Sequence, residues 1–194
     1  MSLDKKENKK ILRQKLKQKL SELSIIEIDR ISLSLSNNLK SYISEYKIQN
    51  KINGISIGGF SPIANEPIWF KAFSPGDNAN YSLVHMHDEV NISYHKVDFR
   101  DIISEIHGLK LDNKLIEKET YPDIILVPGL GFNKSLDRLG RGRGYFDSYL
   151  KSYKGIKIGL FFECQRVDSV FTEEHDEKLD LIITEKKIYK GKNK

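Results

Sequence analysis

Cysteine and long apolar runs are what this sequence has least of. Cys164 is the one cysteine among 194 residues, so the chain cannot form an internal disulfide or supply a thiolate cluster. This argues against a structural zinc site and fits a reducing compartment. No apolar run approaches the roughly 20 residues that span a bilayer, and the charged N-terminus MSLDKKENKK has no apolar signal region behind it. We therefore expect a soluble, cytoplasmic protein.

An excess of one charge sign is lacking as well. The 32 Lys and Arg residues stand against 27 Asp and Glu, which leaves a net charge of +5 and a pI near 9.1. This mixture is far from the composition of a nucleic-acid-binding tail. Much of the excess lies in residues 5–19 and in the final KKIYKGKNK, which we interpret as a solvated helix face and a frayed tail. With 39% hydrophobic residues, we expect one domain over 1–194.

Apolar residues recur at helical spacing in the first quarter of the chain. Residues 4–22 carry one apolar stripe among lysines and predict an amphipathic helix. Ser24 and Glu27 match a capping box, which predicts the start of a second helix. The stripe of that helix consists of Ile28, Ile31, Leu35, Leu39, Ile43 and Tyr46. The N-terminal segment is therefore predicted to be a helical pair.

Three continuous apolar runs are typical of strands that are covered on both faces. They are Ile124 to Pro128, IKIGLFF and LDLIIT, and an earlier strand in KINGISIGGF leads into the loop SPIANEP. Weaker patterns predict strands at YSLVHMH and ISYHKV and a short helix at FRDIISEIHG. Strand, loop, helix and strand in this order indicate parallel pairing. We expect a three-layer α/β/α fold with a mostly parallel central sheet and the helical pair packed on it.

Glycine and arginine are concentrated in the loop that follows the strand at Ile124. Such loops, beyond the carboxyl ends of parallel strands, are where α/β sheets bind ligands. The glycines permit a close approach of backbone N–H groups, the arginines add forked donors, and the helix predicted from Tyr145 adds its dipole. These residues are Arg138, Gly140, Arg141, Gly142, Arg143 and Gly144. The loop is built like a polyphosphate site.

Other interpretations of these motifs stay open. The loop also fits a flexible surface segment that contacts nucleic acid, although disordered segments of that kind lack the aromatic helix found downstream. It matches neither a P-loop nor a dinucleotide fingerprint. Asp147, in the first helical turn, is either a cap or a Mg²⁺ ligand. His85 and His87 form an H-x-H pair that suggests a transition metal, but spacing places no third ligand.

The segment VPGLGFNKSLDRLGRGRGYFDSYL closely resembles the hallmark of the 5-formyltetrahydrofolate cyclo-ligase family, P-G-[LV]-[AG]-F-D/N followed by R-L-G-x-G-x-G-Y-[YF]-D. Further blocks agree in order: KKILR from Lys9, GFSPIANE ending at Glu66, and EEHDEKLDLIITE near the C-terminus. The sequence departs from the family at two short blocks and matches it poorly from Trp69 to Asp98. GLKLD at 108–112 replaces a G-I-x-E-P block, and Phe171 stands near the place of a proline.

The resemblance implies ATP-dependent cyclisation of 5-formyltetrahydrofolate to 5,10-methenyltetrahydrofolate, with release of ADP and phosphate. It implies Mg²⁺ bound by Asp147 and Asp176, with His175 in an orienting role. The ATP-binding residues that it implies are Lys9, Lys10, Arg13, Arg138, Leu139, Gly140, Arg141, Gly142, Arg143, Gly144 and Tyr145. The folate-binding residues are Phe60, Glu66, Arg141, Gly142, Arg143, Gly144 and Tyr145. Arg141 and Tyr145 are the expected catalytic residues.

Two other functions compete with this one. A basic nucleic-acid-binding module would use the arginine loop, and a folate-binding homologue would bind without turnover, as the poorly matching region 69–112 permits. Our main expectation is a monomeric enzyme with small-molecule substrates, and neither nucleic acid nor membrane as a partner.

Overall fold

The computed structural model describes residues 5–87, 91–106, 119–174 and 176–191. Within these ranges the helices are α1 (Lys5–Ser21), α2 (Ile25–Asn50), α3 (Phe99–Ile106) and α4 (Tyr145–Ser152). The strands are β1 (Ile55–Gly59), β2 (Ala79–Met86), β3 (Ile92–Val97), β4 (Glu119–Thr120), β5 (Ile124–Val127), β6 (Gly131–Phe132), β7 (Arg138–Leu139), β8 (Ile156–Leu160), β9 (Leu181–Ile183) and β10 (Ile188–Lys190). A 3₁₀ turn spans Glu163–Gln165.

Eight strands form one sheet in the order β10-β9-β8-β5-β1-β2-β3-β4. The five strands from β9 to β2 run parallel to one another, and β10, β3 and β4 pair antiparallel at the two edges. The α/β prediction with a mostly parallel sheet is confirmed. Because β1 and β5 are parallel neighbours, their carboxyl ends meet at one edge, and the loops that follow them emerge side by side.

Helices cover both faces of the sheet, which confirms the three layers. On one face Leu35 and Leu39 of α2 belong to the same core as Ile57 and Leu126 of the sheet. On the other face Leu150 of α4 belongs to the same core as Ile125 and Val127 of β5 and Ile182 of β9. The helical pair is confirmed too, since Ser24 Oγ accepts from Glu27 N while the Glu27 carboxylate accepts from Ser24 N, and this closes the predicted capping box.

The structure departs from the sequence-based expectation in two segments. The loop after β5 contains a hairpin, β6–β7, which is turned by Asn133: its Oδ1 accepts from the backbone N–H groups of Ser135 and Asp137 at 2.9 and 3.0 Å. Local side-chain bonds of this kind carry no hydrophobic periodicity. The expected frayed tail is wrong at Ile188–Lys190, because this segment pairs with β9 and buries Tyr189.

Other expectations fall partly outside the structure. The helix predicted in FRDIISEIHG is present as α3, while His107 and Gly108 lie outside the described residues, as does the divergent block 108–112. His175, with its expected orienting role, also lies outside them. No helix in the described ranges has the length and apolar character needed to cross a membrane.

Candidate active site

A cleft of about 540 Å³ opens at the carboxyl ends of β1 and β5. The loop after β1 and the loop after β5 form two of its sides, and the hairpin of β2 and β3 forms a third. Most of the residues predicted for the site line this cleft: Phe60, Glu66, Arg138, Gly140, Arg141, Arg143, Gly144, Tyr145 and Asp147. The topology thus brings together residues that are up to 87 positions apart, from 60 to 147.

Arg141 and Glu66 close one side of the cleft with an ion pair. Arg141 donates from Nε at 2.9 Å and from Nη2 at 2.7 Å to the same oxygen, Glu66 Oε1. The other carboxylate oxygen accepts from Ile63 N at 3.1 Å, which orients the carboxylate. The Arg141 side chain is 37% exposed, whereas the Glu66 side chain is 6% exposed. An arginine predicted to bind both substrates is therefore in direct contact with the glutamate predicted to bind the folate.

Trp69 fixes the position of Phe60. Gly59 has no side chain, and this allows the Trp69 ring to lie directly against the end of β1. Trp69 Nε1 then donates to the carbonyl oxygen of Phe60 at 2.9 Å. Phe60 is 3% exposed, so it forms part of the apolar floor between this cleft and a neighbouring apolar pocket of about 330 Å³.

Arg138 and Asp147 form a second pair, deeper in the loop. Arg138 Nη2 donates to Asp147 Oδ1 at 2.6 Å and Nη1 donates to the carbonyl oxygen of Pro128 at 3.2 Å. Arg138 Nε is buried and has no hydrogen-bond partner among the described residues. The Asp147 carboxylate accepts from an arginine here. The start of α4 has no side-chain cap from its N-cap residue, Gly144.

The base of the loop is packed into the fold, which does not favour the alternative of a flexible surface segment. Arg138 and Leu139 are 6% and 1% exposed, and Leu139 packs with Leu16 of α1. Beyond them the backbone takes positive φ at Gly142 (110°) and Gly144 (76°). The guanidinium of Arg143 reaches the Tyr145 hydroxyl only at 3.5 Å. The outer part, Arg141 to Gly144, is exposed.

Helix α1 contributes through Arg13 and Lys9. Arg13 Nε donates to the carbonyl oxygen of Gly140 at 3.0 Å, which joins the helix to the loop. Lys9 Nζ contacts Asp176 Oδ2 and Glu173 Oε2, each at 2.6 Å. Lys10 lies on the outer face, where its side chain is 66% exposed and Nζ is 3.7 Å from Glu7. Lys9, Lys10 and Arg13 are not among the residues that line the cleft.

The environment of Lys9 favours its charged form. Burial alone would lower the pKa of Lys9, but the hydrogen bonds to Asp176 and Glu173, together with their negative charges, raise the pKa above its ordinary value. Asp176 also accepts from the backbone N–H of Glu173 at 2.7 Å. The three side chains form a compact charged cluster that ties α1 to the segment before β9.

The two carboxylates expected to bind Mg²⁺ occupy different surroundings. Asp147 lines the cleft beside Arg138, while Asp176 pairs with Lys9. Among the described residues no group of three His, Cys, Asp or Glu side chains has the arrangement of a metal site. Mg²⁺ bound to nucleotides needs only one or two carboxylates, because phosphate oxygens and water complete its shell. Asp147 fits that requirement as a single carboxylate ligand at the cleft.

Several lining residues were not predicted from the sequence. Lys17 does carry a sequence signal for the site, because it continues the i, i+4 series of basic residues formed by Lys9 and Arg13 along one face of α1. Met86 and Ile92 carry no such signal. They reach the cleft because the antiparallel register of β2 and β3 places them opposite each other at the end of that hairpin.

The fold and the site define an α/β protein with an arginine-lined cleft outside the carboxyl ends of its parallel strands. The model of the 5-formyltetrahydrofolate cyclo-ligase family matches residues 5–185. A 5-formyltetrahydrofolate cyclo-ligase of Mycoplasma pneumoniae is 27% identical over 181 residues, which cover 92% of this chain and 99% of that protein. The mouse 5-formyltetrahydrofolate cyclo-ligase is 42% identical over 69 residues, or 32% of this chain and about a third (34%) of the mouse protein.

A solved structure agrees with the sequence matches. The 5,10-methenyltetrahydrofolate synthetase of Aquifex aeolicus superposes with a TM-score of 0.75 at 26% identity, over 96% of this chain and 94% of that one. The chain belongs to the 5-formyltetrahydrofolate cyclo-ligase family, whose members are ligases that use ATP as a co-substrate.

Proposed function

We propose that this protein catalyses the ATP-dependent cyclisation of 5-formyltetrahydrofolate to 5,10-methenyltetrahydrofolate, with ADP and phosphate as the other products, and that one domain carries the whole reaction. The contact between Arg141 and Glu66 is the observation that supports it most directly. It joins the loop predicted to bind the phosphates of ATP to the carboxylate predicted to bind the folate. Both substrates of a cyclo-ligase must meet at one such junction.

The chemistry asks for positioning and charge neutralisation. The formyl oxygen attacks the γ-phosphate and ADP leaves; N10 of the folate then attacks the activated carbon and phosphate leaves. We assign Arg141 and Arg143 to the transferring phosphoryl group, because both are exposed at the tip of the loop and carry forked donors. The buried Arg138 Nε, with no partner among the described residues, suits a further phosphate oxygen.

Glu66 is assigned to the folate. Its carboxylate is acceptor-only when ionised, which suits the N–H donors along a pterin edge. In the structure Arg141 donates to one of its oxygens. We infer that Arg141 moves from this oxygen to the phosphoryl group when both substrates are present, while Tyr145 borders the same space from the start of α4.

Mg²⁺ is proposed as the cofactor. Asp147 at the cleft would bind it, and Asp176 would do so where the Lys9 cluster meets the nucleotide. When bound, the ion supplies neutralisation of the phosphate charge. Arg138 holds the Asp147 carboxylate in place through Oδ1, which leaves Oδ2 as the oxygen assigned to the metal.

The reaction itself provides the test. Purified protein given ATP, Mg²⁺ and 5-formyltetrahydrofolate is expected to develop the near-ultraviolet absorbance of the methenyl product. ADP release is measured in parallel, with and without the folate. Folded protein that shows no absorbance change with several nucleotides would refute the proposal. Folate binding without folate-dependent ADP release would instead identify a binding protein without turnover.

A variant of Asp147 tests the metal assignment. Asp147→Asn keeps the hydrogen-bonding shape but removes the charge, so a higher Mg²⁺ concentration is expected for half-maximal turnover. Turnover is measured against Mg²⁺ concentration at saturating ATP. An unchanged Mg²⁺ titration would leave Asp147 as the structural partner of Arg138 alone.

A further inference from the structure

Three histidines lie together on one face of the β2–β3 hairpin. His85 in β2 and His87, the residue directly after β2, flank Met86, which lines the cleft, so both are placed on the opposite face. The register places His85 opposite Ser93, and His95 lies two residues further along β3 on the same face. The ring centres of His85 and His87 are 5.0 Å apart, those of His85 and His95 are 5.7 Å apart, and those of His87 and His95 are 6.0 Å apart.

Two of the rings converge on a single oxygen atom. Ser93 Oγ is 2.5 Å from Nε2 of His87 and 2.7 Å from Nε2 of His95. Ser93 is 4% exposed, whereas His87 is exposed and His85 and His95 are half-buried. A hydroxyl donates one hydrogen and accepts others, so it can bridge two imidazoles of different tautomers. The Nε2 atoms of His87 and His95 thus already point to one position.

This spacing is close to that of imidazoles around one metal ion. With Zn–N distances of about 2.0–2.1 Å, three imidazoles on a tetrahedral zinc place their ring centres roughly 5 Å apart. As the side chains stand, the cluster is not a formed metal site, in line with the finding for the described residues as a whole. The Ser93 hydroxyl lies where the two nitrogens converge. Rotation about its Cα–Cβ bond vacates that position at small cost.

We propose that His85, His87 and His95 bind one divalent transition-metal ion of the zinc type, on the face of the hairpin that points away from the cleft. Neutral imidazoles suit zinc, nickel and copper, and three of them leave one position for water. Burial, followed by the nearby His87 and His95, lowers the pKa of His85, which favours the neutral form that binds metal. This site is separate from the proposed folate reaction and does not depend on it.

The consequence for the protein lies in the wall of the cleft. Met86 and Ile92, on the opposite face of the same two strands, line the cleft next to the arginine loop. An ion held by His95 of β3, by His85 of β2 and by His87 directly after β2 ties these strands together beyond their backbone hydrogen bonds. Metal binding therefore steadies the cleft wall without contact with either substrate.

The test uses full-length protein without a purification tag, freed of metal by a chelator. Co²⁺ is added as a spectroscopic probe, and Zn²⁺ is used to displace it. We expect one Co²⁺ per chain with the visible absorption of a tetrahedral site, and loss of that absorption on addition of Zn²⁺. Failure to bind one ion per chain would overturn the proposal.

Variants identify the ligands. His85→Ala, His87→Ala and His95→Ala are each expected to weaken Co²⁺ binding by more than about 100-fold, since even outer-shell partners are worth 10–100-fold. Ser93→Ala keeps the three imidazoles and is expected to bind Co²⁺ at least as tightly as the wild type. His107→Ala is the matched control and should not change binding. Retained binding in the triple His→Ala variant, or its loss in His107→Ala, would contradict the assignment.

A measurement on the unaltered protein covers the case in which a variant does not fold. The long-range ¹H–¹⁵N spectrum of the histidine rings is recorded with and without Zn²⁺. The signals of three of the five histidine rings are expected to shift on Zn²⁺ binding. Each single variant that folds should lack one of these three signals, which assigns it to a residue. Shifts in fewer rings would refute a three-histidine site.

Discussion

The base and the tip of the arginine loop each hold an arginine–carboxylate ion pair, and the two pairs have different surroundings. At the base, the side chains of Arg138 and Asp147 are 4% and 18% exposed, and Arg138 also donates to the Pro128 carbonyl and lies 5.6 Å from the ring centre of Phe146. At the tip, Arg141 is 37% exposed and directs two donors to one oxygen of Glu66.

This difference separates structure from function within one short segment. A desolvated pair with additional contacts is costly to break, because the remaining charge stays buried. At the tip only the carboxylate is buried: the Glu66 side chain is 6% exposed but keeps the hydrogen bond from Ile63 N, and the partly solvated arginine can leave without crossing a dry interior. The base of the loop therefore fixes its position, and the partial solvation of Arg141 at the tip suits the proposed exchange of Glu66 for a phosphate group.

The largest expected effect is on stability at the base. Arg138→Met keeps much of the aliphatic volume but leaves Asp147 without its cation, and we expect the free energy of unfolding to fall by about 3 kcal/mol. Urea denaturation followed by circular dichroism measures this. Arg141→Met is the matched comparison, with a smaller expected loss of about 1–2 kcal/mol, because Arg141 is partly solvated and the buried Glu66 keeps its bond from Ile63 N. Equal losses in the two variants would remove the distinction between base and tip.

The next effect is on catalysis at the tip. Arg141→Met is expected to lower turnover by two or more orders of magnitude, or about 2.7 kcal/mol of barrier, because a charge partner of the transferring phosphoryl group is lost. The rate of methenyl product formation measures it at saturating ATP and folate. Lys134→Met removes an exposed charge from the β6–β7 turn and serves as control. Wild-type kinetics in Arg141→Met would contradict the assignment of Arg141.

A smaller effect concerns the backbone where the tip meets α4. Gly144→Ala introduces a side chain at φ 76°, where no neighbouring atom lies within 4 Å of the new Cβ. The cost is therefore conformational, about 1 kcal/mol of unfolding free energy. Gly54→Ala, also in open space but without a positive φ, is the control. If both variants unfold at the same urea concentration, the left-handed conformation at Gly144 carries no energetic penalty.

The smallest effect is a pH dependence at Lys9, whose ion pairs with Asp176 and Glu173 are largely buried, like the pair at the base of the loop. The pKa of Lys9 is raised above 10.5 in the folded protein, so the stability from its charge is present below about pH 10.5 and is lost as the pH rises through the folded value. The difference in unfolding free energy between the wild type and Lys9→Met should therefore shrink in strongly alkaline solution. A difference that stays constant would place the pKa of Lys9 at its ordinary value.

Much of the fold could be predicted because its signals are local. The capping box of Ser24 and Glu27 and the apolar run from Ile124 each show in a few consecutive residues. The β6–β7 hairpin could not be predicted in this way, since the side-chain bonds of Asn133 turn it. The strand Ile188–Lys190 was missed because lysines surround one buried tyrosine, and pairing with β9 supplies its stability.

The site, too, has features that the sequence predicts and features that depend on the tertiary structure. The residue types that bind phosphate, and their order along the loop, are legible in the sequence because glycine flexibility and guanidinium chemistry are properties of the residues themselves. Which arginine is buried and which carboxylate it contacts depend on long-range contacts. Arg141 and Glu66, for example, are 75 positions apart in the sequence. The same holds for His95, which joins His85 and His87 through strand register. Burial and long-range pairing arise when strands and helices assemble, and no short stretch of chain encodes them.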